Sequence, residues 1–120
     1  MKDMTTIVLL IEDDPADAKV IQEALAAEID SPFRVEWVTL LSAGLERVSK
    51  KGIDVVMLDL TLPDVQGIEA FDQVFLAAPD LLILVLSGLT DEEVGRQAVQ
   101  RGAYDLSLIH ILTLPTTPYV

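Results

Sequence analysis

The chain has no cysteine, which excludes disulfides and thiolate metal sites outright. It has one histidine, His110; standing alone, it is assigned neither a metal nor a phosphate-carrying role. Positive charge is scarce: eight Lys and Arg face 20 Asp and Glu, a formal net charge of −12. No basic cluster exists to neutralise the phosphates of a nucleic acid or to rest on an anionic membrane surface. No apolar run approaches the ~20 residues of a membrane-spanning helix. The opening MKDMTT lacks the apolar core of a signal peptide, so a cytoplasmic protein is expected. Only six Gly and six Pro occur in 120 residues, whereas 51% are hydrophobic. That composition suits one compact domain with a real core rather than a disordered chain.

What is present is organised in alternation. Ile7–Ile11, Asp54–Leu60 and Leu81–Leu86 are apolar at nearly every position, the pattern of parallel strands covered on both faces. Val35–Thr39 supplies a further strand, and Leu106–Leu112 a last candidate. Between them the spacing predicts helices. Pro15–Ile29 opens with Asp14 as N-cap and Pro15 at the first helical position, with Ala18, Ile21, Leu25 and Ile29 on one face. Ser42–Ser49 turns Leu45 and Val48 inward, and Ile68–Ala77 follows Gly67. Thr90-Asp91-Glu92-Glu93 is a capping box for a helix that reaches about Arg101 and stops at Gly102. Trp37 and Phe33 read as packing residues, and Pro63, Asp64 and Gly67 as turn formers. Alternating strands and helices predict an α/β fold with a doubly wound, five-stranded parallel sheet.

In such sheets ligands bind beyond the carboxyl ends of the strands, where the strand order reverses. The segment IVLLIEDDP places Glu12, Asp13 and Asp14 at that end of the first strand. Asp59 ends the third strand in VVMLDL, an acid inside a greasy run where an unpaired charge is costly. Ser87 ends the fourth. With the first and third strands adjacent, Glu12, Asp13 and Asp59 converge at one mouth beside Ser87. Three carboxylates without His or Cys form an all-oxygen donor set, which suits Mg²⁺. Two carboxylates at about 4 Å repel by ~4 kcal/mol near a protein surface, and a cation removes that repulsion. Asp14 is left as the helix cap.

Glu12-Asp13, Asp59 followed by LTLPD, Gly67, Ser87-Gly88 and GAYD, in that order over roughly residues 5–105, resemble the receiver domain of bacterial two-component response regulators. The resemblance implies a flavodoxin-like sheet of order 2-1-3-4-5 and a phosphoryl group taken from a histidine kinase or phosphotransfer protein. Carried over residue by residue, it makes Asp59 the phosphoacceptor and a metal ligand, Asp13 a direct Mg²⁺ ligand, and Glu12 a ligand through bound water. It adds the backbone carbonyl of Thr61 as a ligand and the Ser87 hydroxyl as the switch that turns toward the phosphoryl group. The domain then changes a protein-interaction face and is not a turnover enzyme. The downstream effector is not readable.

The resemblance stops after GAYD. The family's strand-5 Lys position holds Ile109 and its aromatic switch position Leu106, and no Lys follows Lys51. With Pro115 and Pro118 in it, the remainder predicts no fifth helix. LSLIHILTLPTT resembles the translated end of a transposon-derived sequencing adapter, so residues 1–105 are expected to be the receiver domain and 106–120 a non-native tail. Two other readings stay open. One is a pseudo-receiver, an interaction module without phosphotransfer, favoured by the absent Lys. The other is a Mg²⁺-dependent phosphohydrolase using Asp59, opposed by Thr61, which stands where such enzymes typically place a second Asp. A bare sheet face and an apolar edge segment predict a homodimer or swapped oligomer. Light scattering at high concentration tests this: an assembly is expected, and a soluble monomer contradicts it.

Overall fold

A computed structural model of the chain describes residues 5–27, 33–65, 67–87, 92–102 and 104–107. Nine elements alternate along it: β1 (Thr6–Ile11), α1 (Pro15–Ala26), β2 (Phe33–Val38), α2 (Leu41–Val48), β3 (Val55–Asp59), α3 (Ile68–Ala77), β4 (Leu82–Ser87), α4 (Glu92–Gln100) and β5 (Tyr104–Ser107). The five strands form one sheet of order β2-β1-β3-β4-β5, and every neighbouring pair is parallel. This is the doubly wound sheet the alternation predicts.

The two faces of β1 and of β3 enter different packing layers, which is why both strands are apolar along nearly their whole length. Leu9, Ile11, Val56 and Leu58 face a core completed by Leu41 and Val48 of α2, Ala70, Phe71 and Val74 of α3, and Ala98 of α4. Val8, Leu10 and Met57 face the other way, against Ala18 and Ile21 of α1. A fully buried Leu, Ile or Phe contributes about 1.5–3 kcal/mol, so these two layers fix the register of β1 against β3. That register pairs Val8 with Val55 and Ile11 with Leu58. Below it, the Asp54 carboxylate accepts the Ile7 N–H at 2.8 Å and the Asp54 N–H donates to the Ile7 carbonyl at 2.9 Å.

Helix ends are set by specific residues. Asp14 caps α1 by accepting the Ala16 N–H at 2.9 Å, as its sequence position requires. Leu40, at the N-cap of α2, offers no side-chain acceptor. That role falls to Asp64, whose two carboxylate oxygens accept the Leu41 and Ser42 N–H groups at 3.0 Å each. Asp64 is therefore more than the turn former its local sequence suggests. Gly67 precedes α3 at φ 73°, a left-handed conformation that favours glycine, and its N–H donates to the Leu60 carbonyl at 2.7 Å. At the outer edge, Arg47 of α2 pairs with Glu36 of β2 through two bonds of 2.6 and 3.1 Å.

Several boundaries differ from the sequence expectation. α2 starts one residue earlier than Ser42, because Asp64 caps from a distance. β2 starts at Phe33 rather than Val35, since its pairing with β1 begins at Thr6 opposite Phe33. β5 starts at Tyr104 rather than Leu106, in register with Leu84. The expected end of the first helix at Ile29, the capping box at 90–91, the tail at 108–120 and the absence of a fifth helix lie outside the described residues. No helix among the described residues is long and apolar enough to cross a membrane.

Gly44 lets α2 lie directly on β1. A Cβ at this position would collide with Ile11 Cδ1, and Ile11 is wholly buried. Gly44→Ala is expected to destabilise the fold by about 1–2 kcal/mol despite alanine's better helix propensity. In an Ile11→Val background, which removes that methyl, the same substitution should cost much less. Denaturant midpoints of the four-member cycle measure the coupling.

Candidate metal centre

The sheet order reverses between β1 and β3, so the chain leaves these adjacent strands in different directions and opens a crevice at their carboxyl ends. Ile11 pairs with Leu58, and the next residues on each strand are Glu12 and Asp59. The fold thus forces two acids into opposition. Oxygen atoms of Glu12, Asp13 and Asp59 all lie within 4.8 Å of one another. These are three of the residues expected from the sequence to hold a metal.

Their surroundings differ. Glu12 is 2% exposed and Asp59 9%, whereas Asp13 faces solvent. Glu12 is pinned through its backbone: its N–H donates to the Val38 carbonyl at 3.0 Å, and its carbonyl accepts the Trp37 indole N–H at 2.7 Å. Its carboxylate accepts the Asp14 N–H at 3.1 Å. Asp59 takes its help from Thr61. The Thr61 N–H and hydroxyl donate to Asp59 Oδ1 at 3.1 and 2.9 Å, and the hydroxyl also lies 3.2 Å from Oδ2.

Burial, reinforced by the facing Asp59 charge, pushes the Glu12 carboxyl up to about 8. Burial also raises Asp59, against the lowering effect of the two Thr61 donors. With its carboxyl raised this far by burial and by the Asp59 charge, Glu12 keeps a proton near neutral pH in the metal-free site. An oxygen-only donor set of mixed exposure, carrying a proton that a cation can replace, fits Mg²⁺ or a similar hard ion.

The other expected residues take these places. Thr61 stands two residues after Asp59, and its hydroxyl contact is a feature the sequence reading missed; an Asp-x-Thr turn is the signal that offered it. Ser87 closes β4 one register beyond Leu86, the partner of Asp59. Leu106, at the family's aromatic position, pairs with Leu86 in β5, while Ile109 lies outside the described residues. Trp37, expected to be a packing residue, is 38% exposed, and its polar edge is engaged with Glu12. A second concavity, at the opposite end of the sheet, is lined by aliphatic residues with Lys51 and Asp80 and brings no acids together.

The raised acids set the pH response. Between about pH 4.5 and about pH 8 the folded chain keeps a proton on Glu12 that the unfolded chain has released, so metal-free stability falls as pH rises through that window. Below it Glu36 beside Arg47 and Asp64 at the α2 N–H groups ionise more readily when folded and favour the opposite slope, against the raised Asp17 and Asp59. Millimolar Mg²⁺ should flatten the fall, adding ~2.7 kcal/mol at a hundredfold excess over Kd. Thermal unfolding across this range in chelator and in Mg²⁺ checks both; identical curves contradict the site. Glu12→Gln should stabilise the metal-free chain at about pH 8 by ~1–3 kcal/mol.

Comparison with known proteins agrees with this geometry. Residues 8–107 match the family described as the response regulator receiver domain. The chain is 34% identical over 98 residues to the cell cycle transcriptional regulator CtrA of Caulobacter vibrioides, covering 82% of this chain and 41% of that protein. Against the cell cycle response regulator CtrA of Brucella abortus it is 36% identical over the same length, with the same coverage. The chain thus spans about two-fifths of the length of these curated relatives. Among solved structures, the receiver domain of NtrX from Brucella abortus superposes with a TM-score of 0.74 at 20% identity, covering 88% of this chain and 91% of that one. A response regulator receiver domain protein from Clostridium thermocellum gives 0.73 at 24% identity, covering 89% and 91%. With the family match spanning most of the chain, this chain belongs to the response regulator receiver domain family.

Proposed function

We propose that the chain is a phosphoacceptor receiver, with Asp59 as the accepting residue and Glu12, Asp13, Asp59 and the Thr61 carbonyl as the Mg²⁺ site. The observation that carries this reading is the convergence of three carboxylates at the strand-order switch, on a chain of the receiver family. The phosphoryl donor is a phosphohistidine of a kinase or phosphotransfer protein. An Asp59 carboxylate oxygen attacks phosphorus in line, the P–N bond breaks, and the departing imidazole takes up a proton. The product is an acyl phosphate on Asp59. Bound Mg²⁺ supplies positive charge for the phosphoryl oxygens and offsets the repulsion among the acids.

The chain's own groups prepare this step. The Thr61 donors orient the Asp59 carboxylate and favour its ionised, nucleophilic form. Glu12, held beside Asp59 by its backbone bonds to β2, keeps a carboxyl there for the metal. Ser87, at the end of β4, has the chain position from which a hydroxyl would meet the phosphoryl group and report it to the β4–α4 side. The reaction is stoichiometric, so the domain is a switch rather than a turnover enzyme, and it belongs to the cytoplasm.

A second reading keeps the fold without the chemistry. Ile109 stands at the family Lys position, which leaves the phosphoryl group one cation short and favours a pseudo-receiver that acts through binding alone. On either reading residues 1–105 form the working domain, and the apolar 106–120 segment promotes self-association.

Intact-protein mass spectrometry after treatment with acetyl phosphate and Mg²⁺ separates the two. The parent should gain the mass of one phosphoryl group, slowly and only with metal, and Asp59→Asn should gain none. A parent that never gains the mass while binding Mg²⁺ is the pseudo-receiver. A stable adduct on Asp59→Asn ends the assignment of Asp59.

A further inference from the structure

Glu12 sits where the β1–β2 ladder runs out. In a parallel ladder, an N–H given to a residue on the neighbouring strand is answered by an N–H from two residues further along that strand. The Glu12 N–H goes to the Val38 carbonyl at 3.0 Å, so the answering bond to the Glu12 carbonyl would come from residue 40. But β2 ends at Val38, and the chain turns into α2 at Leu41. The donor found on the Glu12 carbonyl is the Trp37 indole N–H, at 2.7 Å. A side chain thus takes the place of a missing rung, directly behind the acids.

Core packing does not account for this tryptophan. Its ring is 38% exposed on an edge strand, where a smaller residue would keep the same pairing with Leu10. The strand that carries it is itself braced, since the preceding Glu36 is held by the two-bonded Arg47 of α2. The contact spans 25 residues of sequence and joins the rigid edge of the sheet to the turn that bears Glu12 and Asp13.

We infer that Trp37 is a positioning residue for the metal site, its indole N–H fixing the backbone of the β1–α1 acidic turn so that Glu12 and Asp13 face Asp59. This rests on the reading of those three acids as the Mg²⁺ site. Groups that orient metal ligands from behind typically change affinity by tenfold or more when removed.

The test compares the parent with Trp37→Phe and with a chain carrying benzothienylalanine at position 37, where sulfur replaces the indole N–H in a ring of nearly the same shape. Mg²⁺ dissociation constants come from calorimetry on each folded chain, and metal-free melting is recorded alongside. Both variants should bind Mg²⁺ about tenfold more weakly than the parent. Binding as tight as the parent's, whatever the melting temperatures, overturns the inference, because a purely structural tryptophan changes stability and not the affinity of the folded site. Weakening in Trp37→Phe alone also overturns it, by assigning the effect to ring packing. A parent that binds no Mg²⁺ overturns the metal site itself, a failure distinct from the other two.

Discussion

The molecule is organised around an electrostatic conflict at the carboxyl ends of β1 and β3. Parallel pairing of these strands, fixed by the apolar layers on both faces, leaves Glu12 opposite Asp59 with both carboxyl groups buried. Neither carboxylate can move away, because each is attached to a strand whose next inward residues are wholly buried. Two charges so placed cannot both persist without compensation. The surrounding hydrogen bonds answer the conflict only in part. Thr61 supports Asp59 and the Asp14 N–H supports Glu12, yet the balance still leaves Glu12 holding a proton to about pH 8. A site that must retain a proton to stay folded at low cost is prepared to exchange it for a cation.

The parts of the fold that could be read in the sequence are those governed by local pattern. Uninterrupted apolar runs gave the buried strands, and three- or four-residue spacing gave the helices; α3 begins and ends at Ile68 and Ala77 as its periodicity indicates. The acids were legible because a charge cluster after a greasy strand is anomalous by itself. What escaped were contacts between residues far apart in the chain. Asp64 caps α2 across 22 and 23 residues, and Trp37 reaches Glu12 across 25. Neither leaves a periodic trace, and each residue has an ordinary local role that hides the distant one. The sequence points to Thr61 for its carbonyl, while in the fold its hydroxyl donates to Asp59 Oδ1 at 2.9 Å.

Positive charge is the resource this chain lacks. A transferring phosphoryl group carries negative charge into a site already lined by acids, on a chain of net charge −12. Phosphoryl transfer depends on cations placed around the group, and Ile109 offers none where the family has Lys. On the proposed reading, metal binding and phosphotransfer would be separable here: the first needs only the acids, the second needs charge the chain supplies sparingly.

The central claim, that a proton stands in for a cation among Glu12, Asp13 and Asp59, is tested by counting protons released when Mg²⁺ binds. Calorimetric titrations near neutral pH in buffers of different ionisation enthalpy give that number directly. Release of about one proton per Mg²⁺, fading as the pH passes about 8, is the predicted result. Binding that releases no proton near neutral pH would contradict the account, because the site would then be fully ionised before the metal arrives.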